Sequence, residues 1–283
     1  MPMPPPPAAP QAFTERELLH TGGRAGLWGS LGCWAPGTPD YATACEALTA
    51  RVADAARVQP GARVLCLACG AGDELQWLLN ERGAAQVTGV ERDAALQAAA
   101  RQHVTAGLQV LQGDALSPEA LGLTPGSFDQ VLCVDAAYHL RPRQAVLQAA
   151  WRLLRPGGCL AYTDLSLRST PGTWRTPVLR VAAALCGLSG QDLLPCAAQV
   201  ARLQLLGFVA VQSQDLTEEV LDGFSAFVAR QSLVAAAAVG TGAWRRGARR
   251  ARWTARLIGP CRAAGLGYVL LSGLKPSSAE ATA

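Results

Sequence analysis

The sequence lacks the features that mark several large classes of protein. Its net charge is only +4, well short of the basic character of a nucleic-acid-binding domain. Its longest apolar runs without a charge, residues 231–244 and 263–274, are too short to span a bilayer. The proline-rich first ten residues lack the basic and apolar regions of a signal peptide. We therefore expect a soluble, cytoplasmic protein without a nucleic-acid partner.

The nine cysteines show no pattern of pairing. Their number is odd and their spacing is irregular, at positions 33, 45, 66, 69, 133, 159, 186, 196 and 261. Most lie inside apolar runs, as buried free thiols of a reducing compartment do. Cys66 and Cys69 form a C-x-x-C motif, but it has no second pair and lies where a strand meets a turn. We therefore expect no metal site.

The most informative stretch begins at Val64. An apolar run at residues 64–67 predicts a buried strand, and small residues follow at four of the next five positions, up to Gly72. A helical stretch and a second strand then lead to Glu91, 19 residues beyond Gly72. This order is typical of nucleoside-cofactor binding, because glycine lets the backbone approach the ligand and the acid accepts hydrogen bonds from ribose. A turn that needs glycine only for its dihedrals is the alternative.

Strands and helices alternate from this point. The pattern predicts strands at residues 64–67, 86–90, 108–111, 128–134, 159–163, 208–212 and 267–271, with helices between them. Such alternation implies a parallel sheet with right-handed crossovers and helices on both faces. We expect an α/β fold, with a Rossmann-like, seven-stranded, mostly parallel sheet and a helical substrate lid.

We expect five segments along the chain. The first two are a disordered proline-rich tail at residues 1–12 and a helical lid segment at residues 13–60. A cofactor-binding core follows at residues 61–166. Lid insertions with the last two strands fill residues 167–276, and residues 277–283 form a polar tail.

Polar residues follow nearly every predicted strand of the core. The strand ends lead in turn to residues 68–72, Glu91, Asp114, residues 135–139 and Asp164. The strand interiors are apolar, and ligands of open parallel sheets bind at the carboxyl ends of the strands. The pattern therefore predicts one site along one edge of the sheet.

Four of these stretches carry a family resemblance. They are Leu67-Ala68-Cys69-Gly70-Ala71-Gly72, Gln112-Gly113-Asp114-Ala115, Val134-Asp135-Ala136-Ala137-Tyr138-His139-Leu140 and Leu153-Leu154-Arg155-Pro156-Gly157-Gly158. Together they resemble the glycine loop, the adenine-side motif, the motif after strand four and the turn before strand five of class I S-adenosylmethionine-dependent methyltransferases. Within that class the chain resembles the branch that methylates sugars, sterols, tocopherols and other natural products.

Two flanking elements support this branch, and two positions depart from it. Ser30-Leu31-Gly32-Cys33-Trp34 and residues 267–276 are similar to the elements that precede and end the core of the small-molecule enzymes. Cys66 stands where those enzymes usually have an aspartate, and Ala68 stands where the first glycine of the loop is usual. The change at Cys66 removes one polar contact near the cofactor.

The resemblance implies S-adenosyl-L-methionine as the cofactor. It assigns Glu91 to the ribose diol, Asp114 and the Ala115 N–H to the adenine, and Asp135 to the amino end. The loop that starts at Ala68 leaves backbone room for the methionine part. The expected cofactor-binding residues are Ala68, Cys69, Gly70, Gly72, Glu91, Arg92, Asp114, Ala115 and Asp135.

His139 is the expected general base for an acceptor hydroxyl, because an ordinary imidazole has a pKa near neutrality. The alternative is that His139 only packs beside a helix start, since related enzymes also work by proximity alone. Tyr138 and Asp164 are second candidates, as groups that orient the acceptor or His139. Trp28 and Trp34, together with His139, are expected to contact the substrate.

The regions outside the sheet are rich in Leu, Val, Ala and Trp, which favours an apolar or amphipathic small-molecule acceptor. The segment from Trp244 to Arg262 contains seven arginines. It is compatible with peripheral membrane contact, with an RNA contact or with a solvated helix face.

We therefore expect a methyltransferase that acts on a hydroxyl or amine of a hydrophobic or amphipathic small molecule. A protein or RNA methyltransferase is an alternative, although no Asn/Asp-Pro-Pro-Tyr motif follows strand four. A non-catalytic binding module with the same fold is a second alternative. The choice among oxygen, nitrogen and carbon acceptors stays open, as does the oligomeric state.

Overall fold

A computed structural model describes residues 19–20, 26–168, 179, 193–239, 245 and 248–277 of the chain. These residues form a single seven-stranded sheet with helices packed on it. The predicted tail at residues 1–12 lies outside the described residues, and so does the predicted tail at residues 277–283 except for residue 277. Part of the predicted lid insertions, residues 169–192, does so as well, except for Leu179.

Seven strands and seven α-helices make up the described fold. The strands are β1 (Arg63–Leu67), β2 (Gln86–Glu91), β3 (Leu108–Gln112), β4 (Phe128–Cys133), β5 (Leu154–Leu167), β6 (Val209–Asp215) and β7 (Leu266–Leu274). The helices are α1 (Tyr41–Ala55), α2 (Asp73–Glu81), α3 (Ala94–Arg101), α4 (Arg143–Leu153), α5 (Cys196–Leu205), α6 (Gly223–Val239) and α7 (Arg249–Ala263). Short 3₁₀ turns lie at Pro118–Leu121 and Ala137–His139, and a π-helical turn lies at Glu218–Asp222.

The strand order is β3-β2-β1-β4-β5-β7-β6. Strands β1 to β5 pair in parallel, whereas β7 pairs antiparallel with both β5 and β6. This confirms the predicted α/β fold with a mostly parallel sheet. The chain reverses its direction of winding between β1 and β4, and a reversal of this kind leaves a crevice at the carboxyl ends of the strands.

Burial on both faces explains the unbroken apolar strands at the centre of the sheet. In β1 all four residues after Arg63 are buried, and Cys66 pairs with Gly89 of β2 and Leu132 of β4. Parallel strands covered by helices on both sides have this composition, because neither face meets water. At the centre of β7 the large side chain of Tyr268 is fully buried.

Helix caps position the elements around the crevice. The Oδ1 atom of Asp93 accepts hydrogen bonds from the N–H groups of Ala95 and Leu96, which caps α3. Helix α2 starts after Gly72, whose φ is 88°. A Cβ at Gly72 would lie 2.9 Å from the Cβ of Ala100 in α3. Gly72 therefore serves both the backbone conformation and the close contact between two helices.

Strand boundaries differ from the pattern-based prediction where strands pair over long sequence distances. Strand β5 was predicted to begin at Cys159 but begins at Leu154, which pairs with Phe128 ahead of an irregularity in the ladder. The Gly157 N–H donates to the carbonyl of Lys275, beyond the end of β7. Contacts with Phe128 of β4 and with Lys275 extend this end of β5, and a local sequence pattern does not contain that information.

Helices α6 and α7 pack on each other and on the π-helical turn at Glu218–Asp222. A bidentate ion pair fixes this arrangement, since Arg262 donates from Nε and Nη2 to Asp222 at 2.9 and 2.5 Å. Among the helices that the structure describes, none has the length and apolar character that a bilayer crossing requires.

Candidate active site

A cavity of about 1160 Å³ opens at the carboxyl ends of the parallel strands. Its walls come from the loops after β1 to β5, from the segment around Trp28 and from helix α7. Most of the side chains predicted from the strand ends line it together: Ala68, Cys69, Gly70, Gly72, Glu91, Arg92, Asp114, Ala115, Asp135, Tyr138, His139 and Asp164.

Glu91 is held in a defined orientation at the end of β2. Its Oε2 atom accepts a hydrogen bond from the Gly70 N–H at 2.9 Å, and its Oε1 atom accepts one from the Asp93 N–H at 2.8 Å. The side chain is buried. A carboxylate has about four acceptor positions, so each oxygen can still accept a hydrogen bond from a ligand. The two backbone donors thus orient the carboxylate towards the cavity in advance.

The glycine loop leaves open space for a ligand to approach its backbone. Gly70 has a φ of 58°, and a Cβ built on it would meet no atom within 4 Å. Ala68 has a φ of 56°, in the left-handed region where a residue with a Cβ carries a penalty of about 1–2 kcal/mol. The loop therefore keeps a glycine-like conformation at Ala68 despite the methyl group.

Asp114 lies beside Glu91 at the end of the neighbouring strand. The Gly113 N–H donates to the Glu91 carbonyl at 3.0 Å, which continues the pairing of β2 with β3. The Asp114 Oδ1 atom accepts from the Leu116 N–H at 2.9 Å, so the side chain closes a local turn. Asp114 and Glu91 therefore form adjacent parts of the same cavity wall.

Asp135 is the anchor of a hydrogen-bond network. Its Oδ1 atom accepts from the Tyr138 and Tyr268 hydroxyls at 2.7 and 2.6 Å, and its Oδ2 atom accepts from the Leu31 N–H at 2.6 Å. Burial raises the pKa of Asp135 and the hydroxyl and amide donors partly offset this shift, which leaves the pKa at about 6. The carboxylate thus ties the N-terminal segment to the sheet, which sequence reasoning did not anticipate.

Asp164 is not a free carboxylate but one half of a buried ion pair. Arg143 donates to it from Nε at 2.6 Å and from Nη2 at 2.9 Å, and both side chains are 3% exposed. The Nη1 atom of Arg143 donates to the Leu140 carbonyl at 2.8 Å. The pair therefore fixes the loop that contains His139. That Asp164 orients the acceptor or His139 stays a prediction. Sequence reasoning missed Arg143, the first residue of α4.

His139 lies in a 3₁₀ turn at the rim of the cavity, with its ring centroid 4.5 Å from that of Tyr138. Burial, together with the charges of Arg250, Arg141 and Arg143, lowers the pKa of His139 to about 4. The imidazole is therefore neutral at pH 7 and can accept a proton or a hydrogen bond. Its partial exposure argues against a role in core packing alone.

The two tryptophans predicted to contact substrate lie in different places. Trp28 lines the cavity. Trp34 is not among the lining residues. It stacks on Phe227 with ring centroids 4.5 Å apart and donates from Nε1 to the Leu31 carbonyl. The ring of Trp34 belongs to the packing between α6 and the N-terminal segment, and its predicted contact with substrate stays a prediction.

The arginine-rich helix α7 forms a wall of the cavity. Arg250, Trp253, Leu257 and Ile258 line it, although Trp253 is also 55% exposed to solvent. A purely solvated helix face was one of the alternatives for this segment. The structure shows instead that one face of α7 covers the site, while other arginines of the helix remain exposed.

One further carboxylate on the cavity wall was missed by the sequence reasoning. Glu74, in the first turn of α2, is 9% exposed, and its Oε1 atom has no hydrogen-bond partner among the described residues. In the sequence, the position of Glu74 two residues after Gly72, next to the glycine loop, could have indicated that it lies at the site.

Comparison with known proteins identifies the domain. Residues 65–162 match the family model described as a methyltransferase domain. The chain is 29% identical over 214 residues to erythromycin 3''-O-methyltransferase of Saccharopolyspora erythraea, which covers 72% of this chain and 69% of that protein. It is 35% identical over 135 residues to a probable phthiotriol/phenolphthiotriol dimycocerosates methyltransferase of Mycobacterium ulcerans, which covers 47% and 50%.

Solved structures support the same fold. The [4+2]-cyclase SpnF matches with a TM-score of 0.67 at 22% identity, over 94% of this chain and 98% of that one. The mycolic acid cyclopropane synthase CmaA1, crystallised with S-adenosylhomocysteine, matches with a TM-score of 0.68 at 16% identity, over 92% and 93%. At these identities the likeness concerns the fold alone. The matched domain and the curated relatives, which are small-molecule methyltransferases, support an S-adenosylmethionine-dependent methyltransferase.

Proposed function

We propose that this enzyme transfers the methyl group of S-adenosylmethionine to a hydroxyl or amine of a hydrophobic or amphipathic small molecule. The observation that carries this proposal is the apolar character of the cavity wall outside the sheet. A hydroxyl is the first candidate, because one relative is named as an O-methyltransferase.

The apolar wall consists of lid residues from three elements. Leu221 comes from the π-helical turn and Phe224 from α6, and Trp253, Leu257 and Ile258 come from α7. The cavity of about 1160 Å³ exceeds the roughly 300–1,000 Å³ of a typical single-ligand site. This volume supports simultaneous binding of the cofactor and a second, apolar molecule.

The residues on the sheet side fit the cofactor. Open space above Gly70 allows close approach to the backbone, and the preoriented carboxylate of Glu91 fits a ribose diol. We assign Asp114 and the Ala115 N–H to the adenine. Cys69, Gly72 and Arg92 line the same cavity, and we assign them to cofactor binding as well.

S-adenosylmethionine supplies an electrophilic methyl group when it is bound. The chain itself must align the acceptor and receive a proton from it. His139 is neutral at pH 7 but is a weak base, because burial lowers its pKa to about 4. A weak base suffices here, since the acceptor oxygen gains positive charge as its new bond forms and its proton then becomes acidic.

Tyr138 and Arg143 are assigned to positioning. The Tyr138 hydroxyl donates to Asp135, and the Tyr138 ring lies against that of His139. Arg143 donates a hydrogen bond to the carbonyl of Leu140, the residue that follows His139 in the chain. Trp28 is assigned to substrate contact because it lines the cavity. For Asp164 we propose an indirect role through Arg143.

A calorimetric titration with S-adenosylhomocysteine tests the cofactor half of the proposal. Glu91→Ala should weaken binding about tenfold to hundredfold, because two hydrogen bonds to a charged group are lost. Glu81→Ala, at an exposed position on α2, serves as the control and should bind like the wild type. Unchanged binding by both Glu91→Ala and Asp114→Ala would refute the assigned site.

Labelled S-adenosylmethionine tests the acceptor half. Incubated with the enzyme and a small-molecule extract of its source, it should label an organic-phase product. Label that appears only in added protein or RNA would favour the alternative macromolecular acceptors. Cofactor binding without any labelled product would favour a non-methylating role, and one protein with the same fold is named a cyclase.

We also propose a cytoplasmic location. Seven cysteines in the described part of the chain, all except Cys261, are free thiols, and six of these seven are buried, which suits a reducing compartment. Peripheral membrane contact through α7 remains a prediction, supported by the exposed ring of Trp253 beside exposed arginines.

A further inference from the structure

Glu74 is a buried carboxylate without a partner for one of its oxygens. Its side chain lines the cavity and its Oε1 atom is fully enclosed, yet no donor among the described residues reaches it. A buried carboxylate in this state is costly unless a cation or a hydrogen-bond donor meets it. The position therefore calls for a partner that the cavity receives from outside the protein.

The other buried carboxylates of the cavity already have partners. Asp135 accepts from two tyrosine hydroxyls and from Leu31, and Asp164 is paired with Arg143. Glu91 accepts from two backbone N–H groups. Asp73, next to Glu74, accepts from the Leu27 N–H with both oxygens. Among these acids, Glu74 alone has an enclosed oxygen that no donor reaches.

Among the described residues, no positively charged group acts on Glu74. The charged groups that act on it are the carboxylates of Asp73 and Glu91. Burial raises the pKa of the Cys66, Cys69 and Cys133 thiols, and the nearby Glu74 carboxylate raises it further. The thiols are thus protonated at neutral pH and contribute no charge.

Position along the sheet selects which end of a ligand Glu74 meets. Glu91 and Asp114 lie at the carboxyl ends of β2 and β3, where the adenosine part is assigned. Cys66 and Cys133 belong to β1 and β4, the two strands that flank the crevice. The cofactor carries positive charge only in its methionine part, as an ammonium and a sulfonium. We propose that the Glu74 carboxylate binds the α-ammonium group of the cofactor and supplies the negative charge that Cys66 does not.

Binding of an ammonium by Glu74 would release a proton. Burial, followed by repulsion from Asp73 and Glu91, raises the pKa of Glu74 to about 8 in the ligand-free protein. The group must ionise to meet a cation, so affinity should rise between pH 6 and pH 7.5 by up to tenfold per pH unit. Asp135, with a pKa of about 6, is the other acid of the site that titrates near this range.

The test is isothermal titration calorimetry of Glu74→Gln with three ligands. S-adenosylhomocysteine keeps the ammonium but has no sulfonium, and 5′-methylthioadenosine has neither group. At pH 7.5 Glu74→Gln should lose about tenfold or more in affinity for S-adenosylhomocysteine and for S-adenosylmethionine. Its affinity for 5′-methylthioadenosine should change less than about twofold. Repeating the titrations in buffers of different ionisation enthalpy measures the protons released per ligand bound. The wild type should release close to one proton more than Glu74→Gln.

Glu81→Gln is the matched control, because it makes the same change at an exposed position of the same helix. It should bind all three ligands like the wild type. Thermal unfolding of both variants without ligand checks the fold independently of binding. Glu74→Gln should be at least as stable as the wild type, since it removes a buried ionisable group.

The outcomes separate this inference from the proposed function, on which it rests. Wild-type affinity of Glu74→Gln for S-adenosylhomocysteine would overturn the role of Glu74 and leave the methyltransferase assignment intact. Weakened binding of S-adenosylmethionine alone would also overturn it, because Glu74 would then face the sulfonium. An equal loss for 5′-methylthioadenosine would mean a general disturbance of the loop. A wild-type protein that binds none of the three ligands would overturn the cofactor assignment itself.

Discussion

The buried pair of Arg143 and Asp164 connects the stability of this fold to the geometry of its site. Arg143→Met replaces the guanidinium with an apolar side chain of similar length. The substitution leaves the Asp164 carboxylate buried without its cation, and it removes the donor to the Leu140 carbonyl. Both losses occur in the interior, where water cannot replace the missing partner.

The expected cost follows from the burial of the pair. Removal of one partner from a buried ion pair typically costs about 3–5 kcal/mol of unfolding free energy. At about 2.1 cal/mol/K of unfolding entropy per residue, a chain of 283 residues should lose about 5–8 °C in Tm. Urea titration and calorimetry would measure the two quantities independently.

A matched control and a double variant make the experiment decisive. Arg155→Met makes the same change in the pair with Asp129, where the arginine side chain is 54% exposed, and should cost less than about 1 kcal/mol. Arg143→Met combined with Asp164→Leu should recover much of the lost stability, because no unpaired charge remains. A loss below about 1 kcal/mol for Arg143→Met, or strictly additive losses in the double variant, would refute the reasoning.

Three further predictions concern the walls of the cavity. Gly72→Ala should lose about 1–3 kcal/mol of stability in urea titration, because φ is 88° and the new methyl group would lie 2.9 Å from the Ala100 Cβ; an unchanged midpoint would contradict this. Without ligand, the unfolding free energy of Glu74→Gln should exceed that of the wild type by an amount that grows from pH 4.5 to pH 8, up to about 5 kcal/mol. The reason is that ionisation of an acid with a raised pKa in the folded state opposes folding. A difference that shrinks with rising pH would contradict this. His139→Gln should keep the wild-type affinity for S-adenosylhomocysteine while kcat falls about a hundredfold. Because the pKa of His139 is lowered to about 4, wild-type kcat/KM should not fall through the imidazole titration between pH 8 and pH 5, and a fall centred near pH 6.5 would count against it.

Local patterns in the sequence determined the core of the fold. Apolar runs of strand length alternate with helical periodicity, and parallel strands covered on both faces need such runs because neither face meets water. The same alternation predicted which residues meet at one edge of the sheet. Glu91, Asp114 and His139 all stand at strand ends and line a common cavity, since the carboxyl ends of parallel strands converge.

Boundaries and partners depended on contacts between distant parts of the chain. Strand β5 begins at Leu154, five residues before the start of its apolar run at Cys159. From Cys159 onwards it pairs with β7, near the end of the chain. Trp34 has the aromatic character of a substrate contact, but packing against Phe227 places it in the core. Neither position can be read from neighbouring residues alone.

The charged residues show the division most clearly. The sequence by itself determined that acids stand at the strand ends, because strand period and turn chemistry are local properties. Only the tertiary structure decided which acids have partners: Asp135 receives donors from Leu31 and Tyr268, 104 and 133 residues away, and Asp164 receives Arg143. It also decided that Glu74 has an enclosed oxygen without a donor. The physical reason is that burial and the pairing of charges depend on distances in space, which spacing along the chain does not determine.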